Sequence, residues 1–318
     1  LILPGLFFAT CFISLSVGTS VGTIVALVPI AAGLATSMHA SLPLVTAVVV
    51  GGAFFGDNLS FISDTTIAAT NSQNCKMGDK FKVNIYIALP AALIVLAIYS
   101  FIGFNLHSLP VAQQIDIVKV LPYLAVLVTA MMGINVFTVL VTGVALAFVI
   151  GLFDGNHDVF SLFHSMGDGV LSMSELIIIT MLAGGLFGLV RHDGGIDYII
   201  SKISKRVKGK RGAELVICSL VAAVDVCTAN NTVAIITVGG IAQKISKVYD
   251  VDNRRVASLL DTSSCVMQGI IPYGAQMLMA SGLARLNPLD IIPYLYYPFI
   301  LLIFVLGSIM FRFPKKYS

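Results

Sequence analysis

The sequence is poor in charge. Only 11% of its 318 residues are Asp, Glu, Lys or Arg, whereas a soluble domain has about 25%. Hydrophobic residues make up 57% of the chain, and the mean hydropathy is +0.95. No soluble core of this length needs so much apolar surface, so the composition predicts a membrane protein in contact with the lipid bilayer.

Other features are scarce as well. The five cysteines are odd in number and lack paired spacing, which argues against a disulfide framework and a zinc site. The net charge of +3 is too small to indicate a nucleic-acid partner. The chain begins at Leu1 with neither a basic segment nor a small-residue cleavage site. It therefore lacks the pattern of a signal peptide, and we expect it to be truncated at its N-terminus.

Long apolar stretches dominate what is present. A helix that spans a bilayer needs about 20 apolar residues. The stretches are residues 3–36, 41–72, 82–104, 118–132, 134–153, 175–191, 212–243, 255–282 and 289–312. Residues 154–174 between them are polar and predict an interfacial loop or a short amphipathic helix. Four stretches (3–36, 41–72, 212–243 and 255–282) are long and are interrupted by Gly, Pro, Asn, Ser and Thr, which break helices.

An interrupted stretch can cross the bilayer or return as a hairpin, and the distribution of Lys and Arg distinguishes the two. If residues 212–243 cross, the 19 Lys and Arg residues divide 11 to 8. If they form a re-entrant hairpin, the division becomes 17 to 2, with only Lys119 and Arg285 on the poorer side. The hairpin is therefore favoured, and the basic side, which includes the C-terminus, is predicted to be cytoplasmic.

The two ends of the chain share a pattern at a spacing of 211 residues. The break at Asp57 then coincides with Gln268, and Thr19-Ser20 coincides with Asn230-Asn231. We predict an all-α polytopic membrane protein with inverted repeats, each containing a re-entrant hairpin and a broken transmembrane helix, as in secondary transporters. Residues 1–104 would end the first repeat, and 105–318 would form the second. Three predicted helices precede the hairpin of the second repeat. Their counterparts in the first repeat, about 95 residues or more, would then precede residue 1.

The polar residues in the interrupted stretches are the candidate site. An Asp at the bilayer centre costs on the order of 3 kcal/mol, and the sequence shows no Lys or Arg within the same spans that would pair with these acids. Burial favours a neutral carboxyl, and oxygen ligands suit Na⁺, so Na⁺ and H⁺ would compete for one group. The predicted ion- and proton-binding residues, which are also the predicted Na⁺ ligands, are Asp57, Asp64, Asp261, Ser63, Thr65, Asn58, Thr19, Ser20, Asn230, Asn231 and Asp225. Asp57 and Asp64 are the main predicted carriers, whereas Asp225 could instead cap the returning helix.

Several motifs resemble a known family. Residues 56–66 (GDNLSFISDTT) are similar to the G-D-x-x-S-x-x-S-D-T-T signature of NhaC-type sodium/proton antiporters. Residues 18–23 (GTSVGT) resemble the G-T-S-x-G-T stretch of that family, and residues 231–232, 260–264 and 271–274 resemble its second-half motifs. The resemblance implies the ion transporter superfamily, whose folds use paired re-entrant hairpins and broken helices. Family members often have a lysine where this chain has Asn58.

The predicted function is Na⁺/H⁺ exchange by alternating access in the inner membrane, with no enzymatic activity and no cofactor besides the transported ions. A homodimer is one arrangement that the sequence leaves open. One alternative is a sodium-coupled transporter of a small organic anion or amino acid, since relatives move such substrates. The other is an intramembrane aspartyl protease using Asp225 and Asp261, but the chain lacks the G-x-G-D motif that such enzymes usually have.

Overall fold

The fold is that of a computed structural model, which describes residues 2–37, 40–105, 136–153, 158–172, 174–204 and 209–317 and single positions between 118 and 129. Within these residues every regular element is a helix, as the composition predicts. Most of the predicted span 118–132, its turn into 134–153, and parts of the basic segment 202–211 lie outside the described residues.

The helices fall into three groups along the chain. The first comprises α1 (Ile2–Val17), α2 (Ser20–Ser37), α3 (Leu42–Leu59), α4 (Asp64–Ser72) and α5 (Met77–Asn105). The second comprises α6 (Val136–Phe153), α7 (Val159–Ser172), α8 (Ser174–His192) and α9 (Gly195–Ser204). The third comprises α10 (Gly209–Thr228), α11 (Asn231–Tyr249), α12 (Asn253–Ile270), α13 (Ala275–Ala284), α14 (Pro288–Ile291), a 3₁₀ turn (Ile292–Tyr294) and α15 (Tyr296–Met310).

Two helical segments of the described residues are long and apolar enough to span a membrane. They are Leu42–Ser72, with 31 residues, and Met77–Phe104, with 28 residues. A third candidate is the pair Pro288–Tyr294 and Tyr296–Met310, whose two parts meet at an angle of 55°. Large apolar side chains on the outer surface, such as Phe101 and Phe160, are exposed.

All four predicted interruptions are present, and local chemistry explains them. Ser63 caps the start of α4 by accepting a hydrogen bond from the Thr66 amide, and Asn230 caps α11 by accepting one from Val233. Such caps satisfy amides that have no partner within their own helix. The interruption between α12 and α13 contains Pro272, and Gly18 adopts a left-handed φ of 72° between α1 and α2.

Close helix packing places the turn after α1 beside the end of α3. Gly52 packs on Phe7 and Thr10, and Gly56 packs on Ser14, so α1 and α3 run parallel and in close contact. The Ser14 hydroxyl donates to the Ala53 carbonyl at 2.7 Å. Because α2 starts next to Asp57 and ends only a few residues before α3 begins, it runs antiparallel to both helices.

Helix bounds recur along the chain at the spacing that the sequence predicts. Adding 211 to the residue numbers of α3 gives the bounds of α12. The same addition to the first residues of α2 and α4 gives the first residues of α11 and α13. Two left-handed backbone positions recur in the same way: Gly18 with Ala229, at φ 72° and 51°, and Asn74 with Arg285, at 52° and 54°. The first and third helix groups therefore share one local architecture.

Candidate ion-binding site

The centre of the site is Asp57, at the C-terminal end of α3. Its side chain is 1% exposed, and one carboxylate oxygen accepts a 2.8 Å hydrogen bond from the hydroxyl of Ser20. The other oxygen, Oδ1, has no hydrogen-bond partner among the described residues. Ser20 is the first residue of α2, and the positive end of a helix dipole favours a nearby carboxylate.

The break between α3 and α4 is lined with hydroxyl groups. The Oγ of Ser63 lies 3.0 Å from the Asp57 carbonyl, 3.1 Å from the hydroxyl of Thr65 and 2.9 Å from that of Thr66. All three side chains are buried. The Ser63 hydroxyl thus contacts the backbone of a residue whose carboxylate is buried, and a small hard cation prefers neutral and charged oxygen ligands of these kinds.

Asp261 is paired with a lysine, which the sequence analysis did not anticipate. Lys80 Nζ lies 2.6 Å from Asp261 Oδ2, and the two side chains are 1% and 0% exposed. Asn84 donates a 3.0 Å hydrogen bond to the same oxygen. The inference that no Lys or Arg could neutralise the buried acids was therefore wrong for Asp261. Lys80 precedes the predicted apolar stretch 82–104, but it lies in the first turn of α5.

Asp64 differs from Asp57 because its side chain is exposed. Its Oδ2 accepts a 2.7 Å hydrogen bond from Thr232 at the start of α11, and its Oδ1 accepts one from the Thr65 amide. Asp64, Thr232, Asn71 and Ser72 help to line a cavity of about 600 Å³ between α4 and α11. We call this contact region the α4–α11 seam; here an acidic side chain is accessible from outside the core.

The corresponding contact between α2 and α13 is closed. Gln276, in the first turn of α13, donates to the Ser20 hydroxyl at 3.1 Å and accepts from Gln268 at 2.8 Å. Gln268 also donates to the Ala229 carbonyl at 2.9 Å. These glutamines are 4% and 0% exposed, and Ser20 is 2% exposed. We call this region the α2–α13 seam; its hydrogen-bond chain links the turn after α1 to the turn after α10.

The remaining predicted residues have different surroundings. Asp225 is 0% exposed, and neither carboxylate oxygen has a partner among the described residues, so Asp225 caps no helix there. Asn230 is exposed and caps α11. Asn231 is 5% exposed, and its Oδ1 accepts from the Thr232 amide. Thr19 is half-buried and accepts from the Gly22 amide at 3.3 Å.

Asn58 contributes more through its backbone than through its side chain. Its carbonyl accepts hydrogen bonds from Lys80 at 2.9 Å and from Asn84 at 2.8 Å. Its side-chain amide donates to the Phe54 carbonyl at 3.2 Å, and its Oδ1 has no partner among the described residues. The backbone oxygen of Asn58 therefore bonds to α5, while its side-chain oxygen is buried without a partner among the described residues.

Sequence reasoning missed Lys80, Asn84 and Gln276. Lys80 and Asn84 are four residues apart, so they lie on one face of α5, and this polar pair at the start of an otherwise apolar helix was the available signal. Gln276 is adjacent to the predicted break and was not singled out because an amide alone carries little information.

The geometry limits the chemistry. Within the described residues, no three His, Cys, Asp or Glu side chains converge on one point, so a cation would need backbone, hydroxyl and amide oxygens beside a single carboxylate. An aspartyl protease needs two carboxylates that share a proton. Asp261 bonds instead to Lys80 and Asn84, while Asp225 has no partner there.

Comparison with known proteins gives consistent matches. The model of the Na⁺/H⁺ antiporter family matches residues 1–108 and 105–315. Na⁺/H⁺ antiporter NhaC of Bacillus subtilis is 25% identical, over 97% of this chain and 75% of its own length. NhaC of Alkalihalophilus pseudofirmus is 22% identical, over 89% and 67%. A malate-2H⁺/Na⁺-lactate antiporter of Bacillus subtilis is 21% identical, over 90% and 68%.

Proposed function

The chain belongs to the Na⁺/H⁺ antiporter family, and on that premise we propose that it exchanges Na⁺ for H⁺ across the inner membrane at Asp57. The observation that carries the proposal is the state of this carboxylate. It is buried, it is bound through one oxygen to Ser20, and its other oxygen has no partner among the described residues. Such a group needs either a proton or a cation to be stable away from water.

Competition for this one carboxylate would couple the two ions. With Na⁺ bound, Asp57 is ionised and the neighbouring oxygens of Ser63 and Asn58 can complete the coordination; with H⁺ bound, the site is neutral. Since both ions cannot occupy the same carboxylate oxygen together, loading one releases the other. Asp64, exposed in the cavity of the α4–α11 seam, would raise the local cation concentration in front of Asp57.

We infer that the helix pairs α1–α2 and α10–α11 are re-entrant hairpins and that the two repeats are inverted, with residues 1–104 ending the first and 105–318 forming the second. Support comes from the recurring helix bounds and from the 17-to-2 division of Lys and Arg, which also favours a cytoplasmic C-terminus. The exposed apolar side chains would face lipid. A homodimer stays a prediction.

Alternating access would act through the two seams. They are equivalent under the 211-residue shift, since α2 corresponds to α11 and α13 to α4. In this conformation the α4–α11 seam contains a cavity, and the α2–α13 seam is closed by hydrogen bonds. We propose that the opposite state reverses this, so that Gln276 separates from Ser20 while the α4–α11 seam closes.

The proposal is tested with purified protein in proteoliposomes that contain a trapped pH dye. Addition of Na⁺ outside should make the interior alkaline in the wild type, and Asp57→Asn should abolish this response because the amide cannot ionise. Asp197→Asn, an exposed acid in the first turn of α9, is the matched control and should respond like the wild type. A wild-type protein that gives no Na⁺-dependent pH change would refute exchange.

A second candidate is Na⁺-coupled exchange of a small carboxylate. A cavity of about 600 Å³ is larger than a bare ion requires, and one relative is named a malate-2H⁺/Na⁺-lactate antiporter. Asp64 in the same cavity would repel an anion, so this function ranks second. Uptake of labelled malate or lactate that depends on Na⁺ would favour it over simple exchange.

A further inference from the structure

Lys80 is bound in the manner of a coordinated cation. Its ammonium lies 2.6 Å from Asp261 Oδ2, 2.6 Å from the hydroxyl of Thr66 and 2.9 Å from the carbonyl of Asn58. An ammonium has three donors, so each of them has an acceptor. The three acceptors belong to α12, α4 and the end of α3, so one charge joins both sides of the break to the third helix group.

Asn84, one turn further along α5, repeats two of these contacts. It donates to the Asn58 carbonyl at 2.8 Å and to Asp261 Oδ2 at 3.0 Å. A carbonyl at an interrupted helix end normally lacks a partner, and here Lys80 and Asn84 supply two. Lys80 and Asn84 therefore hold the break against α5.

The two buried carboxylates nearest the break are in different states. Asp261 already has a cationic partner and a second donor. Asp57 accepts only from a neutral hydroxyl among the described residues. A sodium ion can therefore neutralise Asp57 directly, whereas at Asp261 it would first have to displace an ammonium that is tethered to the chain.

The third helix group has no equivalent of this tethered charge. The positions 211 residues after Lys80 and Asn84 are Ile291 and Leu295, which are buried and apolar. The pair is thus one of the features in which the two helix groups differ, and it connects the groups to each other.

We propose that Lys80 is a positioning residue, a tethered cation that neutralises Asp261 and fixes the break beside Asp57, so that Asp261 does not carry the exchanged ion. This inference rests on the proposed function. It differs from the role that the sequence predicted for Asp261, and it adds Lys80 and Asn84 to the residues on which exchange depends.

The test compares the full chain with Lys80→Gln, Asp261→Asn and the double variant Lys80→Gln/Asp261→Asn in proteoliposomes. Each single variant leaves one buried charge without its partner and should lower the maximal exchange rate at least about tenfold. The double variant is neutral at this position and should return to within about fivefold of the wild type, with an apparent KM for Na⁺ close to the wild-type value. Lys82→Gln, an exposed neighbour paired with Asp79, is the control.

A double variant that is folded and monodisperse but as inactive as Asp261→Asn, beside an active wild type, would overturn the proposal, because a neutral pair at this position would then fail to support exchange. Inactivity of the wild type itself would instead refute the proposed function. If the double variant does not fold, Asp57→Asn decides the question, because it leaves the Lys80–Asp261 pair intact. Na⁺ binding should raise the Tm of the wild type. Loss of this rise in Asp57→Asn supports the inference, and a rise that persists in Asp57→Asn contradicts it.

Discussion

Thr232 and Asp64 are 168 residues apart in the chain and joined by a 2.7 Å hydrogen bond, in which the hydroxyl donates to the carboxylate. The bond holds the start of α11 against the start of α4 at the edge of the α4–α11 cavity. It also fixes the direction of an acidic side chain that lines this cavity.

Removing this bond should weaken cation capture without stopping exchange. We expect Thr232→Val to raise the apparent KM for Na⁺ about fivefold, because one hydrogen bond to a partly exposed carboxylate contributes about 1 kcal/mol, and to change the maximal rate little. Thr237→Val on the same helix removes only a bond to the Val233 carbonyl and should leave KM unchanged. Sodium titrations of the exchange rate measure both values; an unchanged KM in Thr232→Val would show that Asp64 needs no orientation.

The α2–α13 seam should control the rate rather than the affinity. Replacing Gln276 with Leu removes the bonds to Ser20 and Gln268. Only the Ser20 bond crosses the seam, so opening the seam no longer breaks a hydrogen bond. We expect the maximal rate to rise about fivefold, since a hydrogen bond contributes about 1 kcal/mol, while KM stays within a factor of two. The half-buried Gln243 of α11 provides the control Gln243→Leu. A large KM change at constant maximal rate would instead place Gln276 among the ion ligands.

Close packing of α1 on α3 predicts a large cost for one methyl group. In Gly56→Ala the new Cβ would overlap the side chain of Ser14, and overpacking of this kind costs about 1–3 kcal/mol. The Tm in detergent should fall accordingly. Gly307→Ala on α15 meets no atom within 4 Å and should leave the Tm equal or higher, since Ala favours a helix. Equal Tm values for the two variants would mean that α1 and α3 can separate easily.

A buried ion pair near the C-terminus predicts a charge-dependent loss of stability. Arg255 is 0% exposed and bonds to Glu214 at 3.3 Å, to Ser308 at 2.8 Å and to the Phe313 carbonyl at 3.1 Å. Arg255→Met should reduce the free energy of unfolding by about 3–5 kcal/mol, because it leaves Glu214 buried and unpaired. Adding Glu214→Gln should recover part of that loss. The neighbouring pair of Arg254 with Asp252 is more exposed, so Arg254→Met should cost at most about 1 kcal/mol.

Much of the helical framework could be predicted from the sequence. Gly, Pro and polar clusters located all four interruptions, and the 211-residue spacing anticipated the recurring bounds of α3 and α12. The contact between Ser20 and Asp57 follows from the same logic, because both lie where helices end and carry the polarity that an apolar span excludes.

Burial of individual side chains was harder to predict, and Lys80 is the clearest case. The charged residues Asp79 and Lys82 lie close to it in sequence, so it resembles a loop residue. Asp261, which pairs with it in the core, is distant in the chain. For Asp64 and Asn230 the opposite holds, because their position in apolar stretches suggests burial. Both share their segments with buried acids or amides, yet both are exposed, because which face of a helix start is covered depends on the partner helix.

The packing of the first helix group against the third has a consequence for biosynthesis. Because α2 packs on α13 and α4 packs on α11, the first group cannot complete its contacts when it leaves the ribosome. Ser20 must wait for Gln276, which is made 256 residues later, and Lys80 must wait for Asp261. During that interval the Lys80 ammonium lacks its carboxylate partner in a nascent membrane protein, at a stage when incomplete chains are most exposed to quality control.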